Sequence, residues 1–451
     1  MAEYFGTNGI RGKFDLVNPE FALKASSAFA KWSGGKHKKI GIGRDMRLTS
    51  PAIHSACIAG VLCAGADAVD LGMVSSPTAE VMIRHLKLDG AIIVTASHNP
   101  PEWNALKFVD KNDIAISRER GEEIEKIMKE GVKHCTYENA GEYMQYSTAS
   151  IQHMSLIRRR INSEAIQKKK PLIIVDCGNG TANLVAPALL RELGCEVKVI
   201  NGEIDGKFPG RPSEPTEANL SELIAEVKKQ KADLGIAYDG DSDRVIFICH
   251  KGNFIVGDRS FALSAKLALQ KKKGTVVTTV ATSNAVKDVC RQFGGTLHYT
   301  KVGAPYIAEE MFRINAVSGG EEVGGIVWPE LSLAKDGFLA AVKLVEAICE
   351  KETSLLQMLN ELPSYFNAKT KVEAPKGIAK AAVLGKVAKQ ADKADKITLL
   401  DGVRIDYKDS WAIIRASGTE DYFRIFAEAK SKKEAEELMK EHREMLEALL
   451  R

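Results

Sequence analysis

The sequence predicts an α/β protein of several domains: three similar mixed α/β domains, then a smaller C-terminal α+β domain. Three observations carry that prediction. Helical and extended patterns alternate up to residue 365, the alternation runs through one order of elements three times, and beyond Phe366 it gives way to closely spaced short strands. At 451 residues the chain is too long for a single core. Its 45% hydrophobic and 27% charged content is that of an ordinary globular protein, which excludes a disordered or fibrous chain.

The first pass reads as strand Lys39–Ile42, helix Pro51–Ala64, strand Ala68–Leu71, helix Pro77–Leu86 and strand Ala91–Thr95. The second begins with Leu172-Ile173-Ile174-Val175 and helix Ala182–Leu193, stopped at Gly194. Strand Glu196–Ile200 follows, then a helix whose Leu220, Leu223, Ile224 and Val227 share a face, then strand Leu234–Tyr238. The third runs through strand Thr275–Val280, helix Asn284–Phe293, strand Thr296–Thr300 and helix Ala304–Phe312, and ends with Asn315–Ser318 entering a Gly/Glu loop. The passes share no identical words, yet each puts its most unusual polar loop after its third strand, where α/β proteins keep their chemistry.

Beyond Phe366 the strand-like runs are Ile397–Leu400, Val403–Tyr407, Trp411–Arg415 and Tyr422–Glu428. A capping box, Ser431-Lys432-Lys433-Glu434, opens a last helix expected to bury Ala435, Leu438, Met439, Met445, Leu446 and Leu449. Domains are expected at 1–148, 149–253, 254–365 and 366–451.

Sixty-three basic and 59 acidic residues leave a net charge of +4, no surplus that would draw nucleic acid or an anionic membrane. Lys168–Lys170 and Lys271–Lys273 read as solvated loops. The eight cysteines contain no C-x-x-C pair, no segment reads as a signal peptide, and no apolar run approaches the roughly 18 residues of a membrane helix. Reduced thiols packed in a cytoplasmic protein are the expectation, without disulfides, zinc or membrane.

Four loops hold chemistry-bearing residues at unusual density. Strand Ala91–Val94 delivers Thr95-Ala96-Ser97-His98-Asn99-Pro100, where a hydroxyl and an imidazole enter one turn. A serine so presented can carry a phosphoryl group if cations offset the charge, with His98 orienting or donating, whereas alone it would be a turn that caps a helix. In Asp239-Gly240-Asp241-Ser242-Asp243-Arg244, alternation with small residues lets three carboxylates converge on one hard cation, Mg²⁺ or Ca²⁺. An EF-hand is disfavoured, since His250 stands where its twelfth-position Glu belongs.

The third loop, Ser318-Gly319-Gly320-Glu321-Glu322-Val323-Gly324-Gly325, offers carboxylates suited to vicinal sugar hydroxyls. The fourth, Arg415-Ala416-Ser417-Gly418-Thr419-Glu420-Asp421-Tyr422-Phe423-Arg424, has the guanidinium and hydroxyl donors that grip a phosphate dianion; in isolation it would pass for a hairpin turn with surface arginines. In Gly6-Thr7-Asn8-Gly9-Ile10-Arg11-Gly12 three glycines bend the chain and bring Arg11 towards an anion.

With these loops in this order, the sequence resembles the α-D-phosphohexomutase superfamily from Phe5 to the final helix, in a form like its archaeal members. The resemblance implies four domains around a central cleft, one Mg²⁺ per chain, and interconversion of hexose 1- and 6-phosphates through a phosphoserine enzyme and a hexose 1,6-bisphosphate. It implies that Ser97 is the phosphoserine and that Asp239, Asp241 and Asp243, with the phosphate on Ser97, hold the metal. Arg11 and Arg244 would offset phosphoryl charge, Lys107 would assist proton transfer, and Glu321, Val323, Lys301 and Gly303 would face the sugar. Arg415, Ser417, Gly418, Thr419 and Arg424 would hold the non-reacting phosphate.

Two departures bear on the sugar. Many relatives read Glu-x-Ser-Gly-His where this chain has Val323 and Gly325 in the last polar places, and Ala105 stands where the family usually has Gly. A phosphomannomutase/phosphoglucomutase is the expectation, with phosphoglucosamine mutase as the alternative, then a phosphopentomutase or a non-catalytic sugar-phosphate sensor. A phosphatase using the same serine and metal would instead release inorganic phosphate. Small-molecule sugar phosphates are the expected partners, and the chain is expected to be a monomer or homodimer.

Overall fold

The computed structural model describes residues 3–391, 394–417 and 421–450. Its first three sheets share one strand order. In the first, Lys39–Arg44 lies between Asp67–Met73 and Gly90–Val94, all parallel, and Trp103–Asp110 pairs antiparallel outside Gly90–Val94. In the second, Leu172–Asp176 lies between Glu196–Ile200 and Leu234–Tyr238, with Val245–Cys249 antiparallel to the latter. In the third, Thr275–Thr279 lies between Thr296–Thr300 and Ser318–Gly320, with Ile326–Val327 antiparallel to Ser318–Gly320. The chain thus reverses three times between its third parallel strand and an antiparallel partner. Those reversals carry the serine, aspartate and glutamate loops.

The first sheet grows to seven strands by adding the hairpin Phe5–Gly6 and Gly9–Lys13 at one edge and Tyr143–Gln145 at the other. Every residue of Gly90–Val94, Leu234–Tyr238 and Val245–Cys249 is buried, as strands covered on both faces require. One apolar cluster runs through all three sheet units, from Leu71 and Ile93 through Val175 and Phe247 to Phe261 and Phe338. Buried His153 fastens the same three units: Nδ1 pairs with Thr78 Oγ1 at 2.9 Å and Nε2 with Asp336 Oδ2 at 3.0 Å. The loop-bearing ends therefore keep fixed positions relative to one another.

The fourth sheet is antiparallel throughout, in the order Phe366–Glu373, Tyr422–Ala429, Trp411–Ala416, Val403–Asp406, Lys396–Thr398. Helices Lys380–Gln390 and Lys432–Leu450 pack on it. The capping box forms, with Ser431 N donating to Glu434 Oε2 at 3.1 Å and Glu434 N to Ser431 Oγ at 3.2 Å. Ala435 and Leu446 are buried as the stripe requires, and His442 joins them.

Several elements differ from the sequence reading. Helix Ala182–Leu193 is two pieces, Thr181–Leu184 and Ala186–Leu193, broken at Val185 with φ −133°, because Pro187 has no N–H to continue a helix from the preceding turn. Ser318–Gly320 is a strand rather than the mouth of a loop; a Cβ on Gly319 would stand 2.3 Å from Met311 Sδ, so any larger residue would have to displace the Met311 side chain. Strand Phe366–Glu373 and helix Lys380–Gln390 were not foreseen, since only Ala368 and Val372 of the strand and Val383 and Val387 of the helix are buried. All eight cysteines are free, and among the described residues no helix is long and apolar enough to cross a membrane.

Candidate active site

Ser97 stands past the end of strand Gly90–Val94, 4% exposed, with its backbone in the left-handed region at φ +52°. Its amide donates to Thr95 Oγ1 at 3.1 Å, and its carbonyl accepts from Arg47 Nη2 at 2.8 Å and Ser213 Oγ at 3.0 Å. With the backbone so occupied, the hydroxyl donates to Asp239 Oδ2 at 2.7 Å. Arg47, fully buried, also donates to the carbonyls of Asn99, Pro100 and Trp103, while Asp45 Oδ2 holds its Nε at 3.0 Å. One guanidinium thereby pins the serine loop along its length. Asp45 and Arg47 did not stand out in the sequence; their place just past the first strand of the pass is the signal that would have found them.

Asp239, Asp241 and Asp243 are buried, and each offers an oxygen within 4.8 Å of the others. Each also meets a different cation: Arg244 Nε at 3.1 Å from Asp239 Oδ2, Lys107 Nζ at 2.5 Å from Asp241 Oδ2, and Lys335 Nζ at 3.2 Å from Asp243 Oδ2. Ser76 Oγ adds a 2.5 Å bond to Asp241 Oδ2. Burial and the neighbouring Asp243 and Asp241 push Asp239 up to about 7. Asp243 stays well below the usual carboxylate range, because burial is outweighed there by Lys335, Lys107 and Arg244.

Asp241 Oδ1 and Asp243 Oδ1 are buried with no hydrogen-bond partner. Orphaned carboxylate oxygens are costly, and a divalent cation would satisfy both. An all-oxygen donor set with no His or Cys suits a hard ion. The three aspartates therefore fit a metal site.

Above them opens a cleft of about 290 Å³. Ser97, His98, Arg11, Asp243 and Arg244 line one side; Gly303, Glu321 and Val323 come from the third sheet unit, and Arg415 and Arg424 from the fourth. His98 Nδ1 lies 3.4 Å from Ser97 Oγ, and burial together with Arg244 and Arg11 lowers the imidazole to about 3, so it is neutral at physiological pH. Arg11 Nη1 donates to Asn99 Oδ1, anchoring that guanidinium beside the serine loop. Lys107 lies beneath the cleft on Asp241, 3% exposed; burial opposes its charge, yet Asp241 and Asp243 raise its pKa and keep it an ammonium.

Lys301 falls outside this lining, its amine bonded to Glu119 Oε1 at 3.0 Å. Ser417 is present through its carbonyl, which accepts from Lys380 at 3.1 Å, while Gly418 and Thr419 lie outside the described residues. Arg415 and Arg424 are direct cross-strand partners. Arg415 Nη2 reaches Asp401 Oδ2 at 2.7 Å, the same oxygen that accepts from Val302 N at 3.0 Å, so the fourth unit is tied to the loop beside Gly303. Neither Asp401 nor Lys335 carried any signal in the sequence, since their partners lie in other loops.

Comparison with known proteins matches each unit of the chain. Residues 2–134, 151–252 and 256–366 match the phosphoglucomutase/phosphomannomutase α/β/α domains I, II and III, and 368–445 match its C-terminal domain. The chain belongs to the phosphoglucomutase/phosphomannomutase family. The phosphoglucomutase/phosphomannomutase of Thermococcus kodakarensis is 38% identical over 460 residues, covering all of both chains. The probable phosphoglucosamine mutase of Methanopyrus kandleri is 38% identical over 98% of this chain and 97% of its own. A crystal structure of a family protein from Burkholderia thailandensis superposes with a TM-score of 0.88 at 27% identity, covering 99% of this chain and 97% of that one. As a member of the phosphoglucomutase/phosphomannomutase family the chain is an enzyme, a phosphohexomutase.

Proposed function

We propose that the chain interconverts hexose 1- and 6-phosphates, with glucose and mannose phosphates as its sugars, by passing a phosphoryl group through Ser97 and a hexose 1,6-bisphosphate. The observation that carries this reading is the cleft itself: the Ser97 hydroxyl, held by Asp239 at 2.7 Å, shares one cavity with the paired Arg415 and Arg424. A single cleft with a phosphoryl carrier at one end and two guanidinium groups at the other can take a phosphosugar in either orientation.

In this reading phospho-Ser97 gives its phosphoryl group to the free sugar hydroxyl: the P–O bond to serine breaks as the new P–O bond forms, and the hydroxyl proton leaves late and ends on the freed Ser97 oxygen, which then donates it to Asp239 as in the structure. Arg11 and Arg244 offset charge on the equatorial oxygens, neutral His98 orients the serine oxygen, and Lys107, kept as an ammonium, assists the proton transfer by stabilising whichever oxygen is momentarily without its proton. Mg²⁺ held by Asp239, Asp241 and Asp243 would act as a Lewis acid on the phosphoryl oxygens. Glu321 accepts sugar hydroxyls, Gly303 and Val323 shape the wall beside it, and Arg415, Ser417, Gly418, Thr419 and Arg424 hold the other phosphate. Lys301, paired with Glu119, joins the sugar only if that pair opens. The work is divided among domains 1–148, 149–253, 254–365 and 366–451 of a cytoplasmic monomer or homodimer.

Phosphoglucosamine mutase is the second reading, favoured by the name of the Methanopyrus kandleri relative and the breadth of its match. Turnover of the 1-phosphates of glucose, mannose, glucosamine, N-acetylglucosamine and ribose, each with trace bisphosphate, separates the readings. Fastest turnover of glucosamine 1-phosphate would overturn the first. Intact mass should show one phosphate on Ser97, and free phosphate release should be negligible; stoichiometric release would identify a phosphatase.

A further inference from the structure

Gly325 leaves no side chain to meet a sugar, yet the space beside it is filled. A Cβ at 325 would lie 2.3 Å from Lys335 Cδ, 3.2 Å from Cγ and 3.4 Å from Cε. The lysine stem thus runs where a side chain at 325 would begin. Its ammonium, on a side chain 10% exposed, is fixed by Asp243 Oδ2 at 3.2 Å and Glu321 Oε2 at 3.3 Å. Any side chain at 325 would have to displace the stem of a lysine held by two ion pairs in a buried setting, which couples the glycine to the lysine.

Lys335 lines the cleft beside Ser97 and Arg244, and also the small cavity beneath it that Lys107 borders. An ammonium has three N–H donors, and Asp243 and Glu321 occupy two of them. The third is left for a ligand in the cleft. Lys335 is also the group that touches both a carboxylate proposed for the sugar and a carboxylate of the cation site.

We propose that Lys335 is a specificity-determining residue: it donates to a sugar hydroxyl next to Glu321, in the place that a side chain at 325 would otherwise hold, and shares Asp243 with the metal. This rests on the reading of Glu321 as the sugar-hydroxyl acceptor. Because Asp243 is shared, Lys335 competes with the cation for that carboxylate and lowers its affinity.

The test compares wild type with Lys335→Met, Lys335→Arg, Gly325→Ala and Glu321→Gln, using the best hexose 1-phosphate and its singly deoxygenated analogues. Lys335→Met is expected to raise KM about 10-fold or more for the parent sugar, the scale of a lost charged hydrogen bond, with a smaller change in kcat. That deficit should vanish on the one analogue lacking the contacted hydroxyl, and Lys335→Arg should recover part of it. Gly325→Ala should reproduce the defect and add nothing to Lys335→Met. Calorimetric Mg²⁺ binding, read without substrate, should tighten several-fold in Lys335→Met. An equal loss on the parent and every analogue, or additive losses in the double variant, or unchanged Mg²⁺ affinity, overturns the proposal. Unchanged KM in Glu321→Gln for every sugar removes the reading of the glutamate loop instead, while the Lys335→Met comparison still decides whether the lysine meets a hydroxyl.

Discussion

The serine end of the cleft and the arginine end are built on opposite plans. Around Ser97 the serine, Asp45, Arg47 and the three aspartates are buried and tied: Arg47 bonds four carbonyls, Asp45 bonds Arg47, and each aspartate meets at least one cation. At the other end Arg424 is bonded to Tyr422 at 2.8 Å, and Arg415, the cross-strand partner of Arg424, reaches Asp401 while its Nε has no partner. The difference teaches where precision is needed. Phosphoryl transfer depends on reacting atoms already in place, whereas the grip proposed for Arg415 and Arg424, which would accept two orientations of one sugar, would gain from side chains with slack.

The largest expected effect comes at the tight end. Ser97→Ala should lower kcat by at least about 10³-fold and abolish the phosphate adduct in intact mass. Stripping divalent metal with EDTA should remove most turnover and Mg²⁺ should restore it, while Asp241→Asn should cost about 10²-fold or more without recovery. Normal rates in EDTA would break the assignment of the aspartates. Arg47→Met leaves Asp45 and several carbonyls without their buried partner, so a stability loss of about 3–5 kcal/mol is expected in denaturant unfolding, together with a fall in kcat.

At the loose end Arg424→Ala should act mainly on KM, raising it about 10-fold while kcat changes little. A kcat loss matching that of Ser97→Ala would erase the contrast between the two ends. The seam between the third and fourth units should affect stability alone. There burial, then Glu322 and Glu428, pushes Asp258 up to about 8 from 3.8. The folded state keeps a proton that the unfolded chain has released between those values, so this group's contribution to stability falls as pH rises through that window. Asp258→Asn should flatten the decline of the unfolding midpoint between pH 5 and 8 with turnover unchanged; an equally steep decline would show that the acid does not titrate there.

The loops after each third strand were legible because they concentrate hydroxyls, carboxylates and glycines where ordinary turns do not. The helix face through Leu223 and Val227 and the capping box at Ser431 were legible because local periodicity and local hydrogen bonds dictate them. Arg47 and Lys335 were not: their meaning lies in carbonyls about fifty residues away for one and carboxylates in two other loops for the other. The identical strand order of the first three sheets was hidden for a related reason, since pairing is a long-range choice that no local pattern records.

The φ of +52° at Ser97 has a bearing on which nucleophile the fold can use. A threonine carries a comparable hydroxyl, but its branched Cβ is poorly tolerated at positive φ, where small unbranched residues fit with less strain. The backbone thus favours a primary alcohol in this turn, and under the proposed function that alcohol would swing about one bond between Asp239 and the sugar.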